Sequence, residues 1–223
     1  MKRALAIFAK TPTPGRVKTR LSPPLSPRES AELYRCMLLD TVDRVRALRV
    51  ETVIFYDGDR QFFEEAAPDA LLVHQHEGGL GKRLEEACEA LSALGYGPLV
   101  IIGTDAPDLP LEYVRDAFTR LDAGADAVFG PATDGGYYLV ALRDGYGELF
   151  TEIPWSSELV LETSLKRAEA SGFSVSLLPT WYDVDSFEDL QRPGLLEPLN
   201  GAPLTRDFIG SLHSGAAKRA DVV

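Results

Sequence analysis

Short apolar runs alternate with amphipathic helical stretches through the first 122 residues, and that alternation leaves few architectures open. Residues 3–9, RALAIFA, read as a strand buried on both faces, because the run is apolar without a period of two. Ser26-Pro27-Arg28-Glu29 starts a helix: Ser26 can cap, Pro27 suits the first helical position and Glu29 can close a capping box. Tyr34, Leu38, Thr41, Val42, Val45 and Leu48 then share one helical face. Further strands are expected at 51–56, 71–74 and 99–102, with helices at about 61–67, after the Gly78–Gly81 turn, and at 111–121. This order implies an α/β fold with a mostly parallel central sheet and helices on both faces. Later strands are expected at 127–129, 137–142 and 175–178, a helix at 158–170 and a last helix from about Ser186. One domain over residues 1–199 follows, and 200–223, lacking periodicity, is expected as a tail, disordered or packed on a neighbour.

Composition narrows the function classes. Hydrophobic residues make up 45% and charged residues 26%, as in ordinary globular proteins. The formal net charge of −11 argues against a general nucleic-acid binder, which needs a broad basic face. No apolar run approaches ~18 residues, so no membrane span is expected. The six-residue run Ala4–Ala9 is too short for a secretion signal. Cys36 and Cys88 each fall inside a helical pattern and read as two buried thiols. The expected compartment is the cytoplasm.

Charge is distributed unevenly. Residues 1–28 hold seven Lys or Arg and no acid, whereas the other 195 residues carry 16 basic and 34 acidic side chains. Within the cationic zone, the strand ending at Lys10 gives way to Pro12, Pro14 and Gly15, then Arg16, Lys18 and Arg20. A Gly-containing cationic loop after a strand can turn backbone N–H groups and side-chain cations onto phosphate oxygens. The plainer alternative is a solvated basic loop.

Open α/β sheets bind ligands beyond the C-terminal ends of their strands, where Lys10, Gly79, Asp105 and Asp185 are expected. Asp105, in GTDAPDL, follows the most apolar strand. It either caps a turn before Pro107 or serves as a hard oxygen ligand for Mg²⁺ or Mn²⁺. Asp183 and Asp185, in YDVDSFEDL, face one side at a strand end, and Asp185 is a second metal-ligand candidate or a helix cap. Asp134-Gly135-Gly136-Tyr137 forms a tight turn or lets a ligand approach the backbone closely.

Six segments in one order, FAKTPTPGRVKTRL, GGLGKRL, GTDAPDL, GPATDGGYYLVAL, PWSSELVLETSL and DVDSFEDL, resemble those of the DUF2064 family. These proteins are also called selenodomain-associated transferase 1 and are often labelled glycosyltransferases. The resemblance covers about residues 3–192. It implies the GT-A fold of nucleotide-diphospho-sugar transferases, near the guanylyltransferases of molybdenum cofactor and phospholactate metabolism. By that resemblance Lys10, Gly15, Arg16, Lys18 and Arg20 match a loop holding NTP phosphates, and Asp105 and Asp185 match metal positions. Gly79 and Gly81 would lie near the base or ribose, and Asp134, Gly135, Gly136 and Tyr137 near the acceptor. The chain departs from the G-x-G-x-R loop of such enzymes, with Pro12, Pro14 and only Gly15. Side-chain cations must therefore contribute more.

Three functions follow as expectations. The first is Mg²⁺-dependent nucleotidyl transfer from a nucleoside triphosphate to a phosphorylated small-molecule acceptor, with Asp105 and Asp185 on the metal and Lys18 and Arg20 offsetting pyrophosphate. The second is glycosyl transfer from a nucleotide sugar, with Asp134 as base. The third is nucleotide binding without turnover. A homodimer is an allowed assembly.

Overall fold

The computed structural model describes residues 2–220, and the chain divides into two compact units, each built from separate stretches of sequence. The first unit takes residues up to Thr11, Val45–Gly103 and Leu109–Asp183; the second takes Pro12–Arg44, Thr104–Asp108 and the chain from Val184 onward.

The first unit holds one seven-stranded sheet. Its strands are β1 (Lys2–Lys10), β2 (Glu51–Asp57), β3 (Leu71–His74), β4 (Tyr96–Ile102), β5 (Ala127–Pro131), β6 (Tyr137–Leu142) and β7 (Val175–Leu177). The spatial order is β3-β2-β1-β4-β6-β5-β7, and among the described residues only β6 runs antiparallel, against both β4 and β5. β1 is central: Ile7 stands opposite Ile54 of β2 and Ile102 of β4. Ala4 to Ile7 are buried without a break, as a strand covered on both faces requires. One face packs Ala4, Ala6, Val53, Phe55, Leu99 and Ile101 against Leu84, Ala87, Cys88 and Leu91 of α3 (Leu80–Ala93). Helix α5 (Val160–Ala170) joins the same cluster through Ala168 and Leu165. Helix α4 (Leu111–Asp122) packs across β4, β5 and β6 and buries Val114, Ala117, Phe118 and Leu121. Each fully buried Val, Leu or Phe side chain of this kind stabilises the fold by roughly 1.5–3 kcal/mol relative to exposure. The short α2 (Arg60–Ala66) starts where Asp59 Oδ1 accepts from Gln61 N at 3.0 Å.

The second unit contains α1 (Pro27–Val45), α6 (Pro193–Leu196) and α7 (Pro203–Ala220). The capping box read from the sequence is formed: Ser26 N donates to Glu29 Oε2 at 2.8 Å and Glu29 N to Ser26 Oγ at 3.2 Å. Helix α7 replaces the irregular tail anticipated after residue 200, and residues 221–223 of that stretch lie outside the described residues. It is tied to α1 by Asp40, whose carboxylate accepts from Leu204 N at 3.1 Å and Thr205 N at 2.7 Å. Burial pushes the Asp40 carboxyl upward, and the bonds from Thr205 and Leu204 work the other way.

Most element ends fall within two residues of expectation, and two elements differ by more. Strand β4 begins at Tyr96 rather than Leu99, because Tyr96 already pairs with Lys2 of β1. The helix expected from Ser186 is a 3-10 turn at Glu188–Gln191, and the chain then makes only the single turn of α6. Cys36 and Cys88 are buried with free thiols. Among the described residues no helix is long and apolar enough to cross a membrane.

Candidate active site

Three separate loops of the second unit meet at one ammonium group. After Pro12 the chain turns at Gly15, whose φ of +76° few other residues adopt readily, and Arg16 N donates to Thr13 O at 3.0 Å. Val17 is buried, and Leu21 is buried at the end of the 3-10 turn Thr19–Leu21. Lys18 lies between these anchors in the left-handed region, φ 46° and ψ 41°. A non-glycine residue there carries about 1 kcal/mol of strain, which its surroundings must outweigh.

Those surroundings are acceptors. Lys18 Nζ lies 2.5 Å from Asp105 Oδ1, 2.9 Å from Asp185 Oδ1 and 2.5 Å from the Val184 carbonyl oxygen. An ammonium has three N–H donors, and three acceptors surround this one. The Lys18 side chain is 5% exposed, whereas those of Asp105 and Asp185 are 46% and 41% exposed. The cation therefore sits beneath two carboxylates that face solvent. Burial alone would lower the Lys18 pKa, but the two carboxylates outweigh it and hold the amine well above its ordinary value. Lys18 stays protonated and cannot act as a base.

The second-unit loops hold the carboxylates from behind. Val184 N donates to Asp105 O at 2.8 Å, joining the two aspartate loops directly. Thr104 is buried and its hydroxyl lies 3.1 Å from Tyr34 Oη of α1. Asp189 Oδ2 accepts from Asp185 N at 3.2 Å, Ser186 N at 2.8 Å and Ser186 Oγ at 2.9 Å, while its Oδ1 pairs with Arg192. Burial would raise the Asp189 carboxyl, yet the bonds from Ser186 and Arg192 bring it below its ordinary range. The sequence reading missed Asp189; the signal was the Ser186-x-x-Asp189 spacing of a capping box.

Arg20 Nη1 is 3.7 Å from Asp185 Oδ2, and its side chain is 75% exposed. Arg16, on the same loop, is also exposed. Lys18, expected on phosphate, directs its donors at Asp105, Asp185 and the Val184 carbonyl, and the exposed cations of this loop are Arg16 and Arg20. Among the described residues no three carboxylate, histidine or cysteine side chains gather into a ready metal cage. Asp105 and Asp185 nonetheless fit a hard divalent ion, since each exposes carboxylate surface beyond the oxygen bonded to Lys18 and such ions take their remaining ligands from phosphate and water.

The other candidates lie in the first unit. Lys10 ends β1 opposite Asp57 of β2, and Thr11 Oγ1 accepts from Asp59 N at 2.7 Å to tie the two strand ends together. Gly79 caps α3 with open space around it. Gly81 is buried, and a Cβ there would strike the Phe150 carbonyl and the Trp155 indole, so its smallness serves packing. Asp134 closes the β5–β6 hairpin: its Oδ1 accepts from Gly136 N at 2.9 Å. Gly135 has φ +88°, and a Cβ would run into the Glu158 backbone. The Tyr137 ring packs inward, 5.2 Å from the Phe129 ring and 6.2 Å from that of Trp155.

Residues 39–157 match the family described as "Uncharacterized protein conserved in bacteria (DUF2064)". The chain belongs to the DUF2064 family. Over 181 residues it is 32% identical to the 2-phospho-L-lactate guanylyltransferase of Methanothermobacter thermautotrophicus, covering 78% of this chain and 76% of that protein. A crystal structure from Desulfovibrio desulfuricans G20, described as a nucleotide-diphospho-sugar transferase, is 30% identical with a TM-score of 0.81, over 93% of this chain and 99% of that one. A cytidylyltransferase from Leptospira borgpetersenii shares the fold, with a TM-score of 0.62 over 97% of this chain and 96% of that one, at 13% identity. The fold is that of nucleotidyltransferases and GT-A-like enzymes, and the chain is a transferase.

Proposed function

We propose that this DUF2064 protein transfers a nucleotidyl group from a nucleoside triphosphate to a phosphorylated small molecule, with Mg²⁺ or Mn²⁺ bound at Asp105 and Asp185. The observation that carries this reading is the meeting of two solvent-facing carboxylates from separate loops over one buried cation. The relative named a 2-phospho-L-lactate guanylyltransferase supports GTP as donor and a phosphorylated hydroxy acid as acceptor.

In this reading an acceptor phosphate oxygen forms a bond to the α-phosphorus. The bond from that phosphorus to the bridging oxygen breaks, and its electron pair leaves with pyrophosphate. When bound, the divalent ion supplies Lewis-acid stabilisation of charge on phosphate oxygens. Asp105 and Asp185 orient that charge, and Arg16 and Arg20 bind the β- and γ-phosphates and offset the leaving pyrophosphate. Lys18 fixes the two aspartates and does not touch the nucleotide. An acceptor phosphate is already ionised at neutral pH, so no protein base is required, and Asp134 serves to shape the hairpin that presents Gly135 and Gly136.

The test is an incubation with Mg²⁺, each of the four triphosphates and a panel of phosphorylated hydroxy acids that includes 2-phospho-L-lactate, followed by a pyrophosphate assay. Metal-dependent pyrophosphate is the expected result. Release of nucleoside diphosphate from nucleotide sugars, with no pyrophosphate in the first assay, would establish glycosyl transfer instead.

A further inference from the structure

Building on the nucleotidyl-transfer reading, we infer that Lys18 makes metal binding by Asp105 and Asp185 conditional on the nucleotide: the free protein holds a divalent ion weakly, and the ion arrives with the triphosphate. The charges favour this directly. Asp105 and Asp185 contribute two negative charges, and Lys18, at 2.5 and 2.9 Å, with Arg20, at 3.7 Å, returns two positive ones. A dication approaching a cluster of formal charge zero would gain little, and the Lys18 ammonium already holds one oxygen of each carboxylate. A triphosphate changes both conditions, because its oxygens bring negative charge and the ligands that two carboxylates lack.

Lys18 cannot readily move aside to admit the ion. Its backbone is held in the left-handed region between buried Val17 and Leu21. Its third bond goes to the Val184 carbonyl oxygen, at 2.5 Å. The ammonium thus works as an internal counter-ion, a positioning residue that keeps two like charges together while the site is empty of substrate. The same bonds spare the carboxylates the reorganisation they would otherwise undergo when the metal–nucleotide complex binds.

The experiment is a titration of the full chain with Mn²⁺, followed by the electron paramagnetic resonance signal of free ion, with and without the α,β-methylene analogue of each triphosphate. For the wild-type protein the analogue should tighten Mn²⁺ binding by at least about tenfold, and Mn²⁺ should tighten analogue binding by the same factor. Lys18→Met should bind Mn²⁺ alone at least about fivefold more tightly than wild type, because the carboxylates lose their internal cation. Lys18→Arg, which keeps the charge, should stay within about twofold of wild type for Mn²⁺ alone. Equal Mn²⁺ affinity in the wild type with and without bound analogue would overturn the inference, and so would unchanged or weaker Mn²⁺ binding in a folded Lys18→Met. If that variant does not fold, the wild-type comparison alone decides. Tightened Mn²⁺ binding in Lys18→Met with no analogue bound in any arm would refute the nucleotide reading while upholding the masking of the carboxylates by Lys18.

Discussion

Asp105 and Asp134 look alike in the sequence: each follows a strand of the sheet and stands close to glycine. The structure separates them by what their carboxylates hold. Asp105 is paired with a cation that is buried and has nowhere else to go. Asp134 spends an oxygen on the N–H of Gly136, two residues along, closing its own turn. A position at a strand end therefore does not make a charge site; an opposite charge that is fixed from behind does. Asp185 falls on the same side of this division as Asp105, since it shares the same ammonium.

The comparison breaks most easily at Asp105. Asp105→Asn should lower turnover by at least about 10³-fold in a protein that still folds cooperatively but melts at a lower temperature, because the buried Lys18 ammonium loses one of its two carboxylates, as steady-state kinetics and thermal unfolding would show. Equal turnover would put Asp105 in the same class as Asp134. Arg16→Ala combined with Arg20→Ala should weaken triphosphate binding by about 2 kcal/mol or more, measured by calorimetry, because charge-assisted bonds to phosphate contribute about 1.5–3 kcal/mol each. On the hairpin, Gly135→Ala should cost at least about 2 kcal/mol of folding stability in urea, through its positive φ and its collision with the Glu158 backbone. Asp134→Asn, which retains the turn-closing oxygen, should change turnover by no more than about threefold. A loss of 10²-fold or more, on the order expected for a general base, would restore Asp134 to catalysis.

The smallest effect concerns the support behind Asp185. Asp189 has a folded pKa below its ordinary 3.8, so its contribution to stability is present above that value and is lost as pH falls beneath it. Asp189→Asn should therefore be less stable than wild type near pH 7, by about 1 kcal/mol, and the two should converge below pH 3.8. Urea unfolding as a function of pH reads the difference.

Much of the sheet was legible because buried strands are written as short apolar runs, and Lys2–Lys10 and Tyr137–Leu142 fall within a residue of where those runs predict. The insertion of β6 between β4 and β5 was not, because strand order depends on pairings between residues such as Ile102 and Leu139 that no local period encodes. Helix α7 escaped for a different reason. It buries Thr205 and Ile209 on its inner side, so a polar residue breaks the stripe that would have announced a helix. At the site, residue type disclosed the charges but not their directions. Lys18 and Arg20 are both cations two residues apart, and the first turns inward from a left-handed backbone onto Asp105, Asp185 and the Val184 carbonyl. The division of labour between a buried positioning cation and exposed phosphate-binding arginines is therefore a property of conformation, not of composition.

The fate of the α-phosphorus tests the central claim most directly. With GTP labelled at that atom, Mg²⁺ and 2-phospho-L-lactate or another phosphorylated hydroxy acid, the label should move into the acceptor as pyrophosphate appears. Asp105→Asn should abolish both, and Asp134→Asn should preserve them. Label that stays in the triphosphate across the acceptor panel, with GTP and with each of the other three α-labelled triphosphates, or transfer that proceeds unimpaired in Asp105→Asn, would contradict the account.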